Sequence, residues 1–132
     1  LIENEKINNI VITGFVQGEE KSKLLKKSHI FVLPSYSEGM PNSVIEAFAY
    51  GLPIVTTKVG GLIDIFKEPE NGVFAEIKDI NSLSEAIKYL ISNPNILESI
   101  AINNYHYALN KFHPSIVTSR LMSIYQEVIN LK

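Results

Sequence analysis

Two acidic residues, Glu38 and Glu46, have types and spacing from which a ligand site can be argued. Glu38 lies in a loop that contains Gly39 and Pro41 and follows a very apolar run, and Glu46 lies in the first turn of the next helix. Because open α/β sheets bind ligands at the carboxyl ends of their strands, both carboxylates can face one crevice. Two anionic acceptors suit a ligand rich in hydroxyl donors, such as a ribose or a hexose.

The start of that helix offers a second kind of contact. Gly39 and Pro41 favour a tight, exposed backbone whose amides can face a ligand. A diphosphate at the start of the helix would meet free N–H groups and the positive end of the helix dipole. However, Ser43 and Glu46 also match a capping box, in which the glutamate accepts from the serine amide. Taken without further information, the residues leave capping, solvent exposure and ligand binding open for Glu46.

Other residues with chemical potential give weaker signals. The pair Gly60 and Gly61 before a short helix predicts either an anion-binding turn or a plain β-to-α turn. The histidines are scattered and lack metal-ligand spacing, so no metal site is predicted. Ser35 is not a nucleophile elbow, because the glycines of that motif are absent around it.

Composition excludes several function classes. The chain has 132 residues with 45% hydrophobic content, which predicts one folded domain over residues 1–132. Its formal net charge is −2 and Arg120 is its one arginine, so no nucleic-acid partner is expected. It has no cysteine, hence no disulfide and no thiolate metal site. No apolar run is long enough to span a membrane. The chain begins at Leu1 rather than Met, from which we expect a piece of a longer protein.

The elements that must position the two glutamates alternate between strand and helix. Apolar runs predict strands over 9–16 (ending at Gly14), 29–34, 53–57 and 73–75, with a helix over 19–27 that turns Leu24 and Leu25 inward. Five further helices are predicted. They run over 42–50, over a short stretch after the glycine pair, from a cap at Ser82, over 95–112 and over 115–132. The last helix carries a wide apolar stripe, which we expect to pack against another part of the protein. Such alternation predicts an α/β fold, a Rossmann-like parallel sheet with flanking helices.

The run from Phe31 to Gly61 resembles the signature of the retaining GT-B glycosyltransferases of the large group 1 family. Glu38 and Glu46 match the Glu-x7-Glu motif of that family, and the resemblance extends over most of the chain. It implies a partial C-terminal domain that binds a nucleotide sugar, with residues 82–132 as its terminal helices. Asp64 stands where the family often has Glu.

The resemblance also implies roles for the site residues. Glu46 would bind the ribose hydroxyls, and the turn Phe15–Val16 would lie against the base. Glu38 would be the catalytic residue, hydrogen-bonded to the donor sugar ring. The donor sugar and phosphates would be contacted by Glu38 and by the backbone around Gly39, Met40, Pro41 and Asn42.

The implied reaction transfers a hexose from a nucleoside diphosphate sugar to an acceptor with retention of configuration. It needs no metal and no other cofactor, so cationic side chains and helix dipoles would stabilise the leaving diphosphate. The family's Arg and Lys for that task are unmatched here, and its N-terminal acceptor-binding domain is missing, so we expect the chain alone to be inactive. We expect a cytoplasmic setting in polysaccharide biosynthesis, with membrane contact only through the missing half. The alternatives are a non-catalytic nucleotide- or sugar-binding module and a generic flavodoxin-like binder.

Overall fold

The computed structural model describes residues 9–131, in which strands and helices alternate before three helices close the chain. Three parallel strands form one sheet in the order β1-β2-β3. The elements are α1 (Gly18–Lys27), β1 (Phe31–Leu33), α2 (Asn42–Ala49), β2 (Ile54–Thr57), α3 (Leu62–Ile65), β3 (Gly72–Ala75), α4 (Ile80–Ser92), α5 (Pro94–Phe112) and α6 (Pro114–Asn130). The predicted α/β class and parallel sheet are confirmed.

The centre of the sheet is β2, all of whose residues are buried. Phe31 of β1 lies opposite Ile54, and Gly72 of β3 lies opposite Ile54 on the other side. Successive strand residues point to opposite faces. Accordingly, Ile54 belongs to a cluster with α2 and α3, and Val55 belongs to a cluster with α4 and α5. Helices on both faces explain why the strand is a continuous apolar run.

The strand predicted over 9–16 is wrong. In the structure this segment has no strand, and the side chains of Val11, Ile12 and Phe15 are 85%, 78% and 88% exposed. An apolar run becomes a strand only when a neighbouring backbone pairs with it. Within residues 9–131 the segment pairs with no strand, and β1 forms the edge of the sheet on that side.

Two local predictions also need correction. The cap of α4 is Asp79 rather than Ser82, because Asp79 Oδ1 accepts from the amides of Asn81 at 2.9 Å and Ser82 at 3.0 Å. Ser82 Oγ instead accepts from the Glu76 amide at 2.9 Å. On α1, Leu25 packs against the core as predicted, whereas Leu24 is 39% exposed.

Helix α6 has no buried residue. Its apolar stripe consists of Val117, Leu121, Ile124, Tyr125 and Val128, whose exposed fractions are 45% to 56%. The sequence predicts a partner for this stripe, and no part of the described chain buries it. Across residues 9–131, no helix combines the length and apolarity that a membrane span requires.

A buried amide network joins α5 to the amino ends of β2 and β3. The Asn104 side chain is 0% exposed, and its Nδ2 donates to the carbonyls of Leu52 at 2.8 Å and Asn71 at 3.0 Å. Asn71 Nδ2 donates back to Asn104 Oδ1 at 2.8 Å. Asn71 Oδ1 accepts from the Lys67 amide at 2.8 Å. Because buried polar groups are costly when unpaired, this network fixes where α5 lies.

We predict that Asn104→Ala lowers the free energy of unfolding by about 3 kcal/mol, because the Leu52 carbonyl and Asn71 Nδ2 would each be left buried without a partner. The matched control is Asn103→Ala, since Asn103 is exposed and donates a single hydrogen bond to the Glu70 carbonyl at 2.8 Å. The Asn103→Ala substitution should lower the free energy of unfolding by about 1 kcal/mol or less. Urea unfolding of both variants checks the prediction, and equal losses would contradict it.

Candidate functional site

The loop between β1 and α2 is tied to the carboxyl end of β2 by hydroxyl groups. Thr56 Oγ1 donates to the Leu33 carbonyl at 2.9 Å, and Thr57 Oγ1 donates to the Ser35 carbonyl. Ser35 Oγ in turn donates to Glu38 Oε1 at 2.5 Å. Glu38 therefore lies at the carboxyl edge of the sheet, as predicted, with one carboxylate oxygen held by its own loop.

The glycine pair of the next connection packs directly on this loop. The Gly61 amide donates to the Gly39 carbonyl at 2.7 Å. A Cβ added at Gly60 would lie 1.7 Å from the Glu38 carbonyl oxygen, and one at Gly61 would lie 2.4 Å from that of Gly39. The pair is therefore required by close backbone approach. The Gly61 amide is occupied by a protein acceptor, and an anion-binding role of the rest of the turn stays a prediction.

Helix α2 begins with amides available to a ligand. Pro41 precedes the helix with φ −74° and ψ 109° and is buried, and no side chain caps the helix. Asn42 and Ser43 occupy its first positions, where N–H groups have no intrahelical acceptor. Asn42 is exposed, and Met40 just before it is 49% exposed. These free amides and the positive end of the helix dipole can together bind an anion at the start of α2.

Glu46 does not close a capping box, because Ser43 is already inside the helix. Its Oε1 instead accepts from Lys21 Nζ of α1 at 2.7 Å, with 40% of the lysine side chain and 41% of the glutamate side chain exposed. One residue further along α1, Ser22 Oγ lies 2.5 Å from the hydroxyl of Tyr50, the C-cap residue of α2, four residues after Glu46. Glu46 is thus partly solvent-accessible and held from the α1 side.

The structure brings some predicted site residues together and leaves others apart. Glu38, Gly39 and Met40 share the loop that the glycine pair supports. Glu46 has a different partner from Glu38, and among the described contacts none joins the two carboxylates. Phe15 is 88% exposed and Val16 is half-buried, on the segment that leads into α1. Their contact with a base stays a prediction.

Sequence reasoning missed Lys21 and the support that Ser35 and Thr57 give. Ser35 stands three residues before Glu38, a spacing that could have suggested a local hydrogen bond. Lys21 stands 25 residues before Glu46, and nothing in the local sequence connects them.

A cavity of about 210 Å³ opens beside the loop at the carboxyl ends of all three strands. Tyr36 lines it with its ring 5.6 Å from Lys78 Nζ, measured to the ring centroid. The cavity therefore contains an aromatic ring and a cation, and Glu38 follows two residues after Tyr36 on the same loop. Those are the groups with which proteins bind polar ligands that carry hydroxyls and charge.

Comparisons with known proteins agree on one family. Residues 1–107 match the family model described as glycosyl transferases group 1. The chain is 30% identical over 118 residues to 2-deoxystreptamine N-acetyl-D-glucosaminyltransferase of Niallia circulans, an alignment that covers 89% of this chain and 30% of the relative. It is 36% identical over 97 residues to the capsular polysaccharide biosynthesis glycosyltransferase CapM of Staphylococcus aureus, covering 74% of this chain and 26% of the relative.

A solved structure shows the same fold. Sucrose-phosphate synthase from Thermosynechococcus elongatus superposes with a TM-score of 0.88 at 21% identity, covering 99% of this chain and 33% of that chain. The chain therefore spans about a third of the length of the relatives that it matches.

We predict that Gly60→Ala destabilises the protein and displaces the Glu38 loop. Gly60 has φ 49°, where alanine costs about 1–2 kcal/mol, and its Cβ would also overlap the Glu38 carbonyl oxygen. The control is Gly39→Ala, because a Cβ there meets nothing within 4 Å. Chemical denaturation should show a clear loss for the first variant and a change within about 0.5 kcal/mol for the second. A Gly60 variant as stable as the control would refute the close approach.

Proposed function

Because the chain belongs to the group 1 family of glycosyl transferases, we propose that it is the donor-binding part of a retaining GT-B enzyme. The enzyme would transfer a hexose from a nucleoside diphosphate sugar to an acceptor. The observation that carries the proposal is the fixed loop from β1 to α2, which holds Glu38 and the first amides of α2 at the carboxyl edge of the sheet.

The proposed role of Glu38 is to bind the donor sugar, as the catalytic residue of the site. Ser35 occupies Oε1, which leaves Oε2 to accept from a sugar hydroxyl. The loop backbone is restrained by the Gly61 amide on one side and by Thr57 on the other. A restrained carboxylate loses little freedom on binding, so its hydrogen bond contributes to orientation of the sugar.

The diphosphate would lie at the start of α2, where the amides around Gly39, Met40 and Asn42 supply donors. A helix dipole at this position contributes about 0.3–1 kcal/mol toward an anion, and up to ~2 kcal/mol in a partly buried geometry. This is far less than a leaving diphosphate requires, so we propose that cations from outside this chain complete the stabilisation without a metal. Arg120, the one arginine of the chain, lies on α6 in a groove lined by residues of α5 and α6 and by none from the start of α2.

The nucleoside would lie toward α1. Glu46 would accept from the ribose hydroxyls, and the turn of Phe15 and Val16 would contact the base. The support for Glu46 is that it is 41% exposed and that its Oε2 has no partner among residues 9–131. The support for the Phe15 turn is its exposure directly before α1.

The acceptor would be bound by an N-terminal domain of the same protein, outside this chain. Orientation of the acceptor against the donor can supply ~7–11 kcal/mol of the barrier. We therefore propose that this chain alone binds donor but transfers nothing. The name of the Staphylococcus aureus relative supports a place in polysaccharide biosynthesis. We further propose a cytoplasmic setting, with membrane contact only through the rest of the protein.

We predict that Glu46→Gln weakens UDP or GDP binding by the full-length protein more than it lowers stability. A hydrogen bond to a charged group contributes ~1.5–3 kcal/mol, so affinity should fall about tenfold to a hundredfold. Calorimetric titration with each nucleotide measures this, and thermal unfolding measures stability. Glu85→Gln on α4 is the matched control, since Glu85 is exposed and belongs to neither loop. Unchanged affinity with a lower melting temperature would remove Glu46 from the ligand site.

We predict that Glu38→Ala weakens binding of the nucleotide sugar and leaves binding of the bare nucleoside diphosphate nearly unchanged, because Glu38 would contact only the sugar. Parallel titrations with UDP-glucose and UDP, or GDP-mannose and GDP, test this difference. Ser35→Ala should show a smaller loss of the same kind, since it frees the carboxylate without removing it. Equal losses for sugar nucleotide and nucleotide would place Glu38 elsewhere in the site.

A further inference from the structure

Two consecutive residues of α1 make polar contacts with α2 and with its C-cap residue. Lys21 donates to Glu46 at 2.7 Å, and Ser22 Oγ lies 2.5 Å from the Tyr50 hydroxyl. Helix α1 has no buried residue, and Leu25 is its residue in contact with the core. The position of α1 beside Glu46 therefore depends largely on these two contacts rather than on apolar packing.

The Lys21 contact differs from an ordinary surface ion pair. The pair Lys23–Glu19 lies within α1 at 2.9 Å, with side chains 66% and 83% exposed. Lys21 and Glu46 lie on different helices and are 40% and 41% exposed, so less water competes for them. The ammonium group also contacts Oε1 alone and leaves Oε2 without a protein partner in the described part of the chain.

This geometry restricts the carboxylate without using up its acceptor capacity. A glutamate side chain has several rotatable bonds, and freezing them when a ligand binds costs affinity. A lysine that already holds one oxygen removes part of that cost and fixes the direction of the other oxygen. The second oxygen is then the acceptor presented to a hydroxyl donor.

We propose that Lys21 is a positioning residue for the nucleotide, which holds Glu46 so that its free oxygen accepts from the ribose hydroxyls. The inference rests on the proposed role of Glu46 and adds to it a residue of α1. It makes α1 part of the donor site through an ion pair rather than through direct contact with the ligand.

The test is the preference of the full-length protein for UDP over 2′,3′-dideoxy-UDP, which lacks the ribose hydroxyls. Lys21→Met should reduce this preference about threefold to tenfold, the cost of ordering one flexible side chain. Lys21→Arg should restore most of it, because the guanidinium can donate to the same oxygen. Calorimetric titration of both nucleotides gives the ratio, and thermal unfolding shows whether each variant is folded. Should Lys21→Met fail to fold, Lys21→Leu, which likewise has no donor, is measured in its place.

Two matched variants separate positioning from other effects. Lys23→Met removes a lysine of the same helix and should leave the preference unchanged. Ser22→Ala loosens the contact between α1 and α2 without touching Glu46 and should also leave it unchanged. If Ser22→Ala lowers the preference as much as Lys21→Met does, helix docking is responsible and the positioning role is overturned. Equal weakening of both nucleotides by Lys21→Met would mean that the lysine acts by charge on the phosphates, which also overturns it.

Failure of this inference can be told from failure of the proposed function. If Glu46→Gln removes the preference for UDP while Lys21→Met preserves it, Glu46 binds ribose and Lys21 does not position it. If neither variant changes the preference, the ribose role of Glu46 is itself wrong.

Discussion

The complete burial of β2 is the constraint on which the arrangement of the other elements depends. Its faces are covered by two apolar clusters and its edges by β1 and β3. A strand in this position still contains the hydroxyls of Thr56 and Thr57, which are 0% and 2% exposed and must find acceptors. They find them in the carbonyls of Leu33 and Ser35, and this draws the loop after β1 over the end of the sheet. At the amino ends of β2 and β3, the buried amide network around Asn104 likewise pairs buried polar groups and so positions α5.

The position of Glu38 follows from these requirements of packing. Threonine hydroxyls of β2 donate hydrogen bonds to carbonyls at the end of β1 and in its loop. The turn of Gly60 and Gly61 packs against the same loop at a distance that only glycine permits. The half-buried Glu38 side chain keeps one carboxylate oxygen free of the Ser35 hydroxyl, while its carbonyl packs against Gly60. A restrained backbone that carries a partly free carboxylate suits the role proposed for Glu38.

The two acidic residues of the candidate site are held by different physical means. Glu38 is fixed by its own loop, through a serine three residues away, whereas Glu46 is held across an interface between helices by Lys21. The first arrangement is local and belongs to the connection between β1 and α2. The second depends on the place of α1, which contributes little apolar surface to the core.

The sequence by itself determined the features that have local causes. The apolar run of β2 and the glycine at position 51, with φ 67°, predict a buried strand and the end of α2, and both are present. The spacing of Glu38 and Glu46 placed them correctly on a loop and on the following helix. Only the tertiary structure decided whether the apolar segment 9–16 is paired, what the two glycines contact, and which group holds Glu46. These outcomes depend on backbones and side chains that are distant in the chain, and a residue's own neighbours carry no signal of such partners.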